Sequence, residues 1–136
     1  MIVKLAEFLS QCPAIEGVGV KVNYLAGKSA AYSLMKTGER IEKKKYADGG
    51  TVYGQRFVLA MRGEYAAAST VNVATADKCS AIEHWIAEQA VIESIADLKT
   101  DAQVLELELV KGFVPVAMGS VDARFEAVLE ISYYAV

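Results

Sequence analysis

Apolar and polar residues alternate in several separate stretches of this chain. Val18, Val20 and Val22 alternate with small or polar residues, and residues 30–36 repeat the pattern. Residues 103–109 and 123–135 place leucine, isoleucine and aromatic side chains on one side and mostly charged side chains on the other. A two-residue period is typical of strands with one buried and one solvated face. These stretches therefore predict four strands.

Two other stretches have the three- and four-residue spacing of a helix. The first places apolar residues at positions 2, 5, 8, 9 and 12, and Pro13 ends it. The second begins with Ser80 and Glu83, which fit a capping box. It predicts a helix from about Lys78 to about Ala96 that buries Trp85 against the sheet. Residues 63–73 favour neither helix nor strand and are treated as a connection, and residues 111–122 predict a second projecting loop.

The longest patterned stretch covers residues 39–62. Its turn is Asp48-Gly49-Gly50, and glycine adopts the positive φ of a tight hairpin turn without steric cost. The first arm is almost wholly charged, whereas the second changes from a mixed tip to a continuous apolar root. We therefore predict a hairpin arm at about residues 39–62 whose root lies in the sheet and whose tip projects into solvent, where such arms contact other molecules.

Together these elements predict an α+β protein with one domain over residues 1–136. The prediction is an antiparallel sheet of about six strands with the long hairpin projecting from it, a main helix covering one face, and an N-terminal helix. Hydrophobic residues make up 54% of the chain and charged residues 23%, a globular rather than a disordered composition.

The net charge of the chain and the length of its apolar runs argue against two classes of partner, nucleic acids and membranes. The formal net charge is -3, so no global basic field attracts nucleic acid, and no nucleic-acid partner is expected. Charged residues interrupt the apolar runs well short of the ~20 residues of a membrane span, so no membrane partner is expected either. The polar start of the chain argues against a signal peptide and for a cytoplasmic location. In that reducing compartment Cys12 and Cys79 are interpreted as small buried hydrophobes.

Motifs of catalysis and metal binding are incomplete. Residues 27–29 read Gly-Lys-Ser, but Val22 stands where a phosphate-binding loop requires glycine. His84 is the sole histidine and has no second ligand at metal-site spacing. Cys79 lies five residues before it, and on a helix this offset turns the two side chains about 140° apart. We expect no catalytic residue, no metal and no cofactor, and hence a protein that is not an enzyme.

The strongest local charge feature is the run Lys43-Lys44-Lys45. In an extended strand Lys43 and Lys45 share one face and Lys44 lies on the other. Two interpretations remain open, namely an edge strand that lysine keeps soluble and a contact surface, which the neighbouring tyrosines favour. Exchanging these exposed lysines should leave folding nearly intact. The candidate partner-binding residues are Arg40, Lys43, Lys44, Lys45, Tyr46, Tyr53 and Arg56.

Several short motifs occur in a characteristic order. Residues 45–49 read lysine-tyrosine-x-aspartate-glycine, an apolar strand then leads into Arg62-x-x-Tyr65, and the tryptophan helix follows at residues 85–89. In this order they resemble a family of short minor structural proteins of long-tailed bacteriophages, whose members are minor capsid or tail proteins. The resemblance covers nearly the whole chain. This chain departs from the family pattern at residues 88–102, where family members have a polar break that contains glycine or proline.

The resemblance is greatest to tail terminators, which are α+β proteins that cap the tail tube as a ring, usually hexameric. It implies a virion structural protein at the head–tail junction, present in the host bacterial cytoplasm during assembly. Its partners would be further copies of itself, tail tube proteins and head connector proteins. Two alternatives remain open. One is a small-molecule enzyme or binding protein with a site between helix and sheet, and the other is a nucleic-acid-binding module that uses the basic hairpin.

Overall fold

The computed structural model describes residues 2–15, 18–25, 31–64, 69–89, 103–119 and 122–135. Within them lie two helices and five strands. The helices are α1 (Ile2–Leu9) and α2 (Ser69–Gln89). The strands are β1 (Val20–Val22), β2 (Ala31–Lys45), β3 (Thr51–Glu64), β4 (Gln103–Met118) and β5 (Asp122–Ala135). They form one sheet in the order β1-β2-β3-β5-β4, and the predicted α+β class is confirmed in this coarse form.

The sheet differs from the prediction in strand number and in direction. The described residues contain five strands rather than about six, because residues 31–36 of the alternating stretch and the charged arm of the hairpin form one strand, β2. Gly38, at φ 69°, lies at an irregularity within that strand and does not end it. The sheet is also mixed, since β1 runs parallel to β2 with Val20 opposite Tyr32. Alternation looks the same in either strand direction, so the sequence pattern could not distinguish the two.

Both helices contribute to one apolar core on the same face of the sheet. α1 supplies Leu5 and Leu9, and α2 supplies Ile82 and Ile86, all of them fully buried. Burying a side chain of this size contributes about 1.5–3 kcal/mol each. Trp85 is only half-buried and lies at the margin, where its ring is 5.5 Å from that of Phe8. The sheet contributes Tyr32, Leu34, Phe57, Leu59, Met61, Leu107, Leu129 and Ile131.

Helix α2 begins earlier than the sequence indicated. It starts at Ser69, so its first turns include the Thr-Val-Asn-Val segment, which the sequence predicts to be part of a connection. Glu83 consequently lies inside the helix and caps nothing there. Its Oε1 instead accepts a hydrogen bond of 2.6 Å from the backbone N–H of Phe113 in β4. The predicted helix end near Ala96 lies outside the described residues.

The predicted second loop is wrong for residues 111–118, which belong to β4. This strand forms an edge of the described sheet, and Pro115 is compatible with an edge because its missing N–H removes no ladder bond there. Register shifts between Leu109 and Lys111 and between Lys111 and Val114 absorb the extra residues. Glycine and proline therefore mark irregular pairing here, not the end of pairing.

The hairpin does not project from the sheet as predicted. β3 pairs with β2 on one side, and on the other it pairs with β5 along its whole length, from Thr51 opposite Ala135 to Glu64 opposite Asp122. The second arm is therefore a central strand, because β5 is as long as β3. The distal part of β2 pairs on one side only. We call the side of the sheet opposite α1 and α2 the open face.

Candidate partner-binding surface

Residues 36–45 of β2, here called the basic edge, form an exposed edge of the sheet. Strand β1 pairs with β2 only from Tyr32 to Leu34, and no other described strand lies beyond it. All ten residues of the basic edge are exposed. The outward backbone N–H and C=O groups of such an edge can pair with another chain. The basic edge is therefore the part of the predicted hairpin that is suited to contacting a partner.

An ion-pair cluster on the open face holds the basic edge to the rest of the sheet. Lys43 Nζ lies 2.8 Å from Glu130 Oε2 and donates to Ser132 Oγ, also at 2.8 Å. Arg56 Nε lies 3.3 Å from Glu130 Oε1. Gly54 lies beneath the cluster, where an added Cβ would be 3.2 Å from Glu130 Cδ. The cluster therefore links β2 to β5 across the central strand β3.

Glu130 is charged in spite of its burial. The residue is only 6% exposed, and desolvation by itself would raise the pKa of its carboxyl group. The hydrogen bond from Lys43 has the largest effect and holds the pKa of Glu130 below its ordinary value, and Arg56 adds to this lowering. Two predicted binding residues, Lys43 and Arg56, thus already have a partner inside the molecule.

Arg40 and Tyr53 lie on the other face of the sheet. The Arg40 guanidinium carbon is 3.8 Å from the centroid of the Tyr53 ring, and that ring lies 5.7 Å from the ring of Tyr133. Hydrogen bonding to the Tyr133 side chain raises the pKa of Arg40. A cation over an aromatic face is attracted by the ring quadrupole, so Arg40 is placed by its own sheet. The predicted binding residues are therefore divided between two faces.

Lys44 and Lys45 make weaker internal contacts. Lys44 Nζ lies 4.9 Å from the centroid of the Tyr46 ring, and Lys45 Nζ lies 3.8 Å from Glu42 Oε1. Both side chains of the Lys45 pair are more than half exposed, and such pairs contribute about 0–1 kcal/mol. These lysines can exchange their present contacts for those of a partner at little cost.

The predicted division of the three lysines between faces is wrong. The register shifts between Glu42 and Lys44, so the strict alternation of an ideal strand is interrupted there. Lys43 consequently reaches Glu130 on the open face. Lys44 lies opposite Val52 and beside Tyr46 on that same face.

The turn next to these lysines is fixed by its own contacts. Asp48 Oδ1 accepts a hydrogen bond of 2.9 Å from Gly50 N–H, and its Oδ2 accepts one of 2.8 Å from Tyr134 Oη. These two bonds lower the pKa of Asp48, the backbone bond having the larger effect. A Cβ at Gly50 would overlap the Tyr134 hydroxyl, so only glycine permits this close approach.

A shallow depression lies beside this turn on the open face. Its volume is about 290 Å³, and it is lined by Tyr46, Asp48, Val52, Leu105 and Tyr134. Tyr46 and Tyr134 meet edge to face with their centroids 5.9 Å apart. The predicted binding residues include Tyr46 but not Tyr134 or Glu130, which approach the hairpin only through strand pairing. The alternation along residues 123–135 had placed Glu130 on a solvated face, where it is in fact buried.

The residues weighed for nucleophilic chemistry lie in different surroundings. Cys79 is buried in the core, whereas His84 is exposed on the surface of α2. Burial raises the pKa of the Cys79 thiol to about 11, and burial also raises the pKa of Cys12. Both cysteines are free and buried, which confirms their interpretation as small hydrophobes. His84 Nε2 lies 3.0 Å from Glu88 Oε1 on the surface of α2.

Comparison with known protein families and with curated proteins finds no match to this chain. The resemblance to phage minor structural proteins therefore stays a prediction. In the part of the chain that the structure describes, no group of three or more His, Cys, Asp or Glu side chains is placed to hold a metal ion. The helices of that part are too short or too polar to cross a membrane.

Proposed function

We propose that this protein is a non-enzymatic structural component of a long-tailed phage or prophage particle. In this proposal it acts at the head–tail junction, as a tail terminator or another minor tail or capsid protein, and it self-associates into a ring. The ordered motifs from residue 45 to residue 89 support the family, and the basic edge supports a role in assembly. The observation that carries the proposal is the exposure of Lys44, Lys45 and Tyr46 at a sheet edge. The contact between Lys43 and Glu130 fixes this edge to the rest of the sheet.

The contacts that fix this surface affect binding, because every group that must be ordered when a partner binds costs free energy. The Asp48 bonds fix the turn, and the Glu130 cluster fixes the strand that leads to it. A surface already held in position loses less conformational entropy when a partner docks. The exposed backbone of the same strand can also accept a strand from that partner. The surface thus combines a fixed shape with free hydrogen-bonding groups.

The charge of the basic edge indicates the chemistry of its partners. Residues 36–45 contain five basic and two acidic side chains, so the edge is positive although the chain as a whole is negative. Acidic surfaces of another copy of the chain, of tail tube proteins or of head connector proteins would complement it. Contacts between exposed charges weaken as salt screens them, so docking should be faster and tighter at low ionic strength.

A charge exchange tests this function. The double variant Lys44→Glu/Lys45→Glu changes two exposed side chains and leaves Lys43 on Glu130. We expect phage particles that carry it to assemble with at least about tenfold lower yield of joined heads and tails, since like charges at a docking site are costly. The matched control is Lys21→Glu/Lys78→Glu, the same change of charge at two exposed lysines outside the basic edge.

Two outcomes would contradict the proposal. One is normal yield and normal tail length in particles of the Lys44→Glu/Lys45→Glu variant. The other is retention of the unaltered protein on DNA at low salt that this variant loses, since phosphate contacts are strongest there and would assign the basic edge to nucleic acid.

A further inference from the structure

The opposite edge of the sheet carries charge of the other sign. Residues 104–110 of β4 contain Glu106 and Glu108 and no lysine or arginine. Both carboxylates are exposed, and neither makes an ion pair with a described residue. Glu106 lies opposite Ser132 and Glu108 opposite Glu130, which places both on the open face. Glu108 and Glu130 are like charges directly opposite one another, which destabilises a strand pair. Lys43 and Arg56 lie on the side of Glu130 that faces away from β4, and they pair with Glu130.

The direction of the strands allows the two edges to meet. β2 is antiparallel to β3, β3 to β5, and β5 to β4, so β4 runs antiparallel to β2 within one chain. If a second copy continues the sheet with its open face on the same side, its β4 lies antiparallel to the β2 of the first copy. Glu106 and Glu108 of one copy then project on the same side as Lys43 and Lys44 of the next.

We infer that copies of this chain join edge to edge, residues 104–110 of one copy pairing with the basic edge of the next. The inference rests on the proposed function and names the contact by which its ring would form. The contact is heterologous, one patch meeting a different patch, and such contacts generate rings when the rotation between copies closes.

Features of the two strands restrict the pairing to this combination. Pairing of β2 with a second β2 would bring two lysine runs together. Pairing of β4 with a second β4 would bring Glu106 and Glu108 next to the same glutamates of the other copy. Both arrangements place like charges side by side, which is destabilising. Pro115 lacks an N–H, and register shifts interrupt the pairing of β4 between Val104 and Glu106 and again from Leu109 onward. The regular part near Glu106 and Glu108 is therefore the part that remains suited to a partner strand.

Two complementary variants test the inference. The first, Glu106→Lys/Glu108→Lys, makes both edges positive. The second, Lys44→Glu/Lys45→Glu, leaves residues 104–110 negative and gives the basic edge three basic and four acidic side chains, so that both edges are negative. Sedimentation velocity should show the unaltered chain self-associating. Each variant alone should have a dissociation constant at least about tenfold higher, because its own edges no longer complement each other. Lys21→Glu/Lys78→Glu should behave like the unaltered chain.

Mixing the two variants decides between edge pairing and other causes. Each edge of the first variant complements an edge of the second, so an equimolar mixture should again form oligomers, with the two variants alternating. This recovery also shows that both variants are folded. A mixture that stays monomeric, or an unaltered chain that is monomeric at every concentration, would overturn the inference.

The outcomes separate this inference from the function on which it rests. If mixing restores nothing while Lys44→Glu/Lys45→Glu still blocks head–tail joining, the edge pairing is wrong and the assembly role stands. If the mixture recovers while particles of each variant assemble normally, copies do pair by these edges but the proposed role at the head–tail junction fails.

Discussion

The two strands of one hairpin, β2 and β3, have opposite environments. Phe57 of β3 is 1% exposed, whereas its register partner Lys36 of β2 lies open to solvent. The difference follows from the number of neighbours, since β3 pairs on both sides and the distal part of β2 on one. An edge strand tolerates a run of charge that a central strand could not bury. One strand of the hairpin thus lies in the core, and the distal part of the other presents exposed charge.

The largest effect should come from truncating the central strand. We expect Phe57→Ala to lower the free energy of unfolding by about 3–5 kcal/mol, because it removes a buried ring and leaves a cavity. Its register partner supplies the control, and Lys36→Ala should change stability by less than about 0.5 kcal/mol. Urea unfolding followed by circular dichroism measures both. Equal losses in the two variants would remove the contrast between the strands.

The second-largest effect on stability should come from removing the charge of Glu130, which links β2 to β5. Glu130→Gln should lower stability by about 1–3 kcal/mol at neutral pH, since it leaves Lys43 and Arg56 without a charged acceptor. The pKa of Glu130 is lowered in the folded protein, so its stabilising effect is complete above the unfolded value of about 4.3. The effect is lost as pH falls through the folded pKa.

The stability difference between the unaltered chain and Glu130→Gln should accordingly be constant near pH 7 and shrink below about pH 4. Glu126→Gln is the matched control on the same strand, where Glu126 pairs with Arg124 at 2.9 Å and is more exposed. If the stability difference between the unaltered chain and Glu130→Gln does not depend on pH, then packing of the Glu130 side chain, and not its charge, stabilises this contact.

A smaller effect is expected at the turn that joins the strands. Gly50→Ala should cost about 1 kcal/mol, because the new methyl group must displace the Tyr134 ring from Asp48. In a Tyr134→Ala background the same change should cost less than about 0.5 kcal/mol. A double-mutant cycle measured by thermal unfolding tests this coupling, and additive losses would contradict it.

The smallest effects should come from the exposed lysines, and they should be unequal. Lys44→Ala and Lys45→Ala should each change stability by less than about 0.5 kcal/mol. Lys43→Ala should cost about 1 kcal/mol, since it removes two hydrogen bonds to partly buried acceptors. The sequence-based expectation that all three lysines are neutral for folding is thus revised for Lys43. Chemical denaturation of the three single variants would detect the difference.

Periodicity predicted the local elements wherever a single face is buried. The alternation of Leu129 and Ile131 with their neighbours located β5, and the apolar spacing of Leu5 and Leu9 located α1. It did not locate the first turns of α2, because residues 63–73 favour neither helix nor strand, although residues 69–73 belong to that helix. Tertiary packing routinely overrides such weak local preferences.

The candidate surface was predictable only in part. The charges of Lys44 and Lys45 are visible in the sequence, and so is the turn at Gly49, which has φ 89°. The acceptor of Lys43 was not predictable, because Glu130 is 87 residues away along the chain. A contact over that separation depends on which strands are neighbours, and no local pattern records the order of strands.

The sequence by itself determined where the chain alternates, where it turns, and where basic residues collect, because these depend on neighbouring residues. Only the tertiary structure decided that β3 is central, that the distal part of β2 is an edge, and that Lys43 pairs with Glu130 while Lys44 stays exposed. The physical reason is that strand neighbours are chosen by burial and hydrogen bonding over the whole sheet, to which β5 contributes from the far end of the chain.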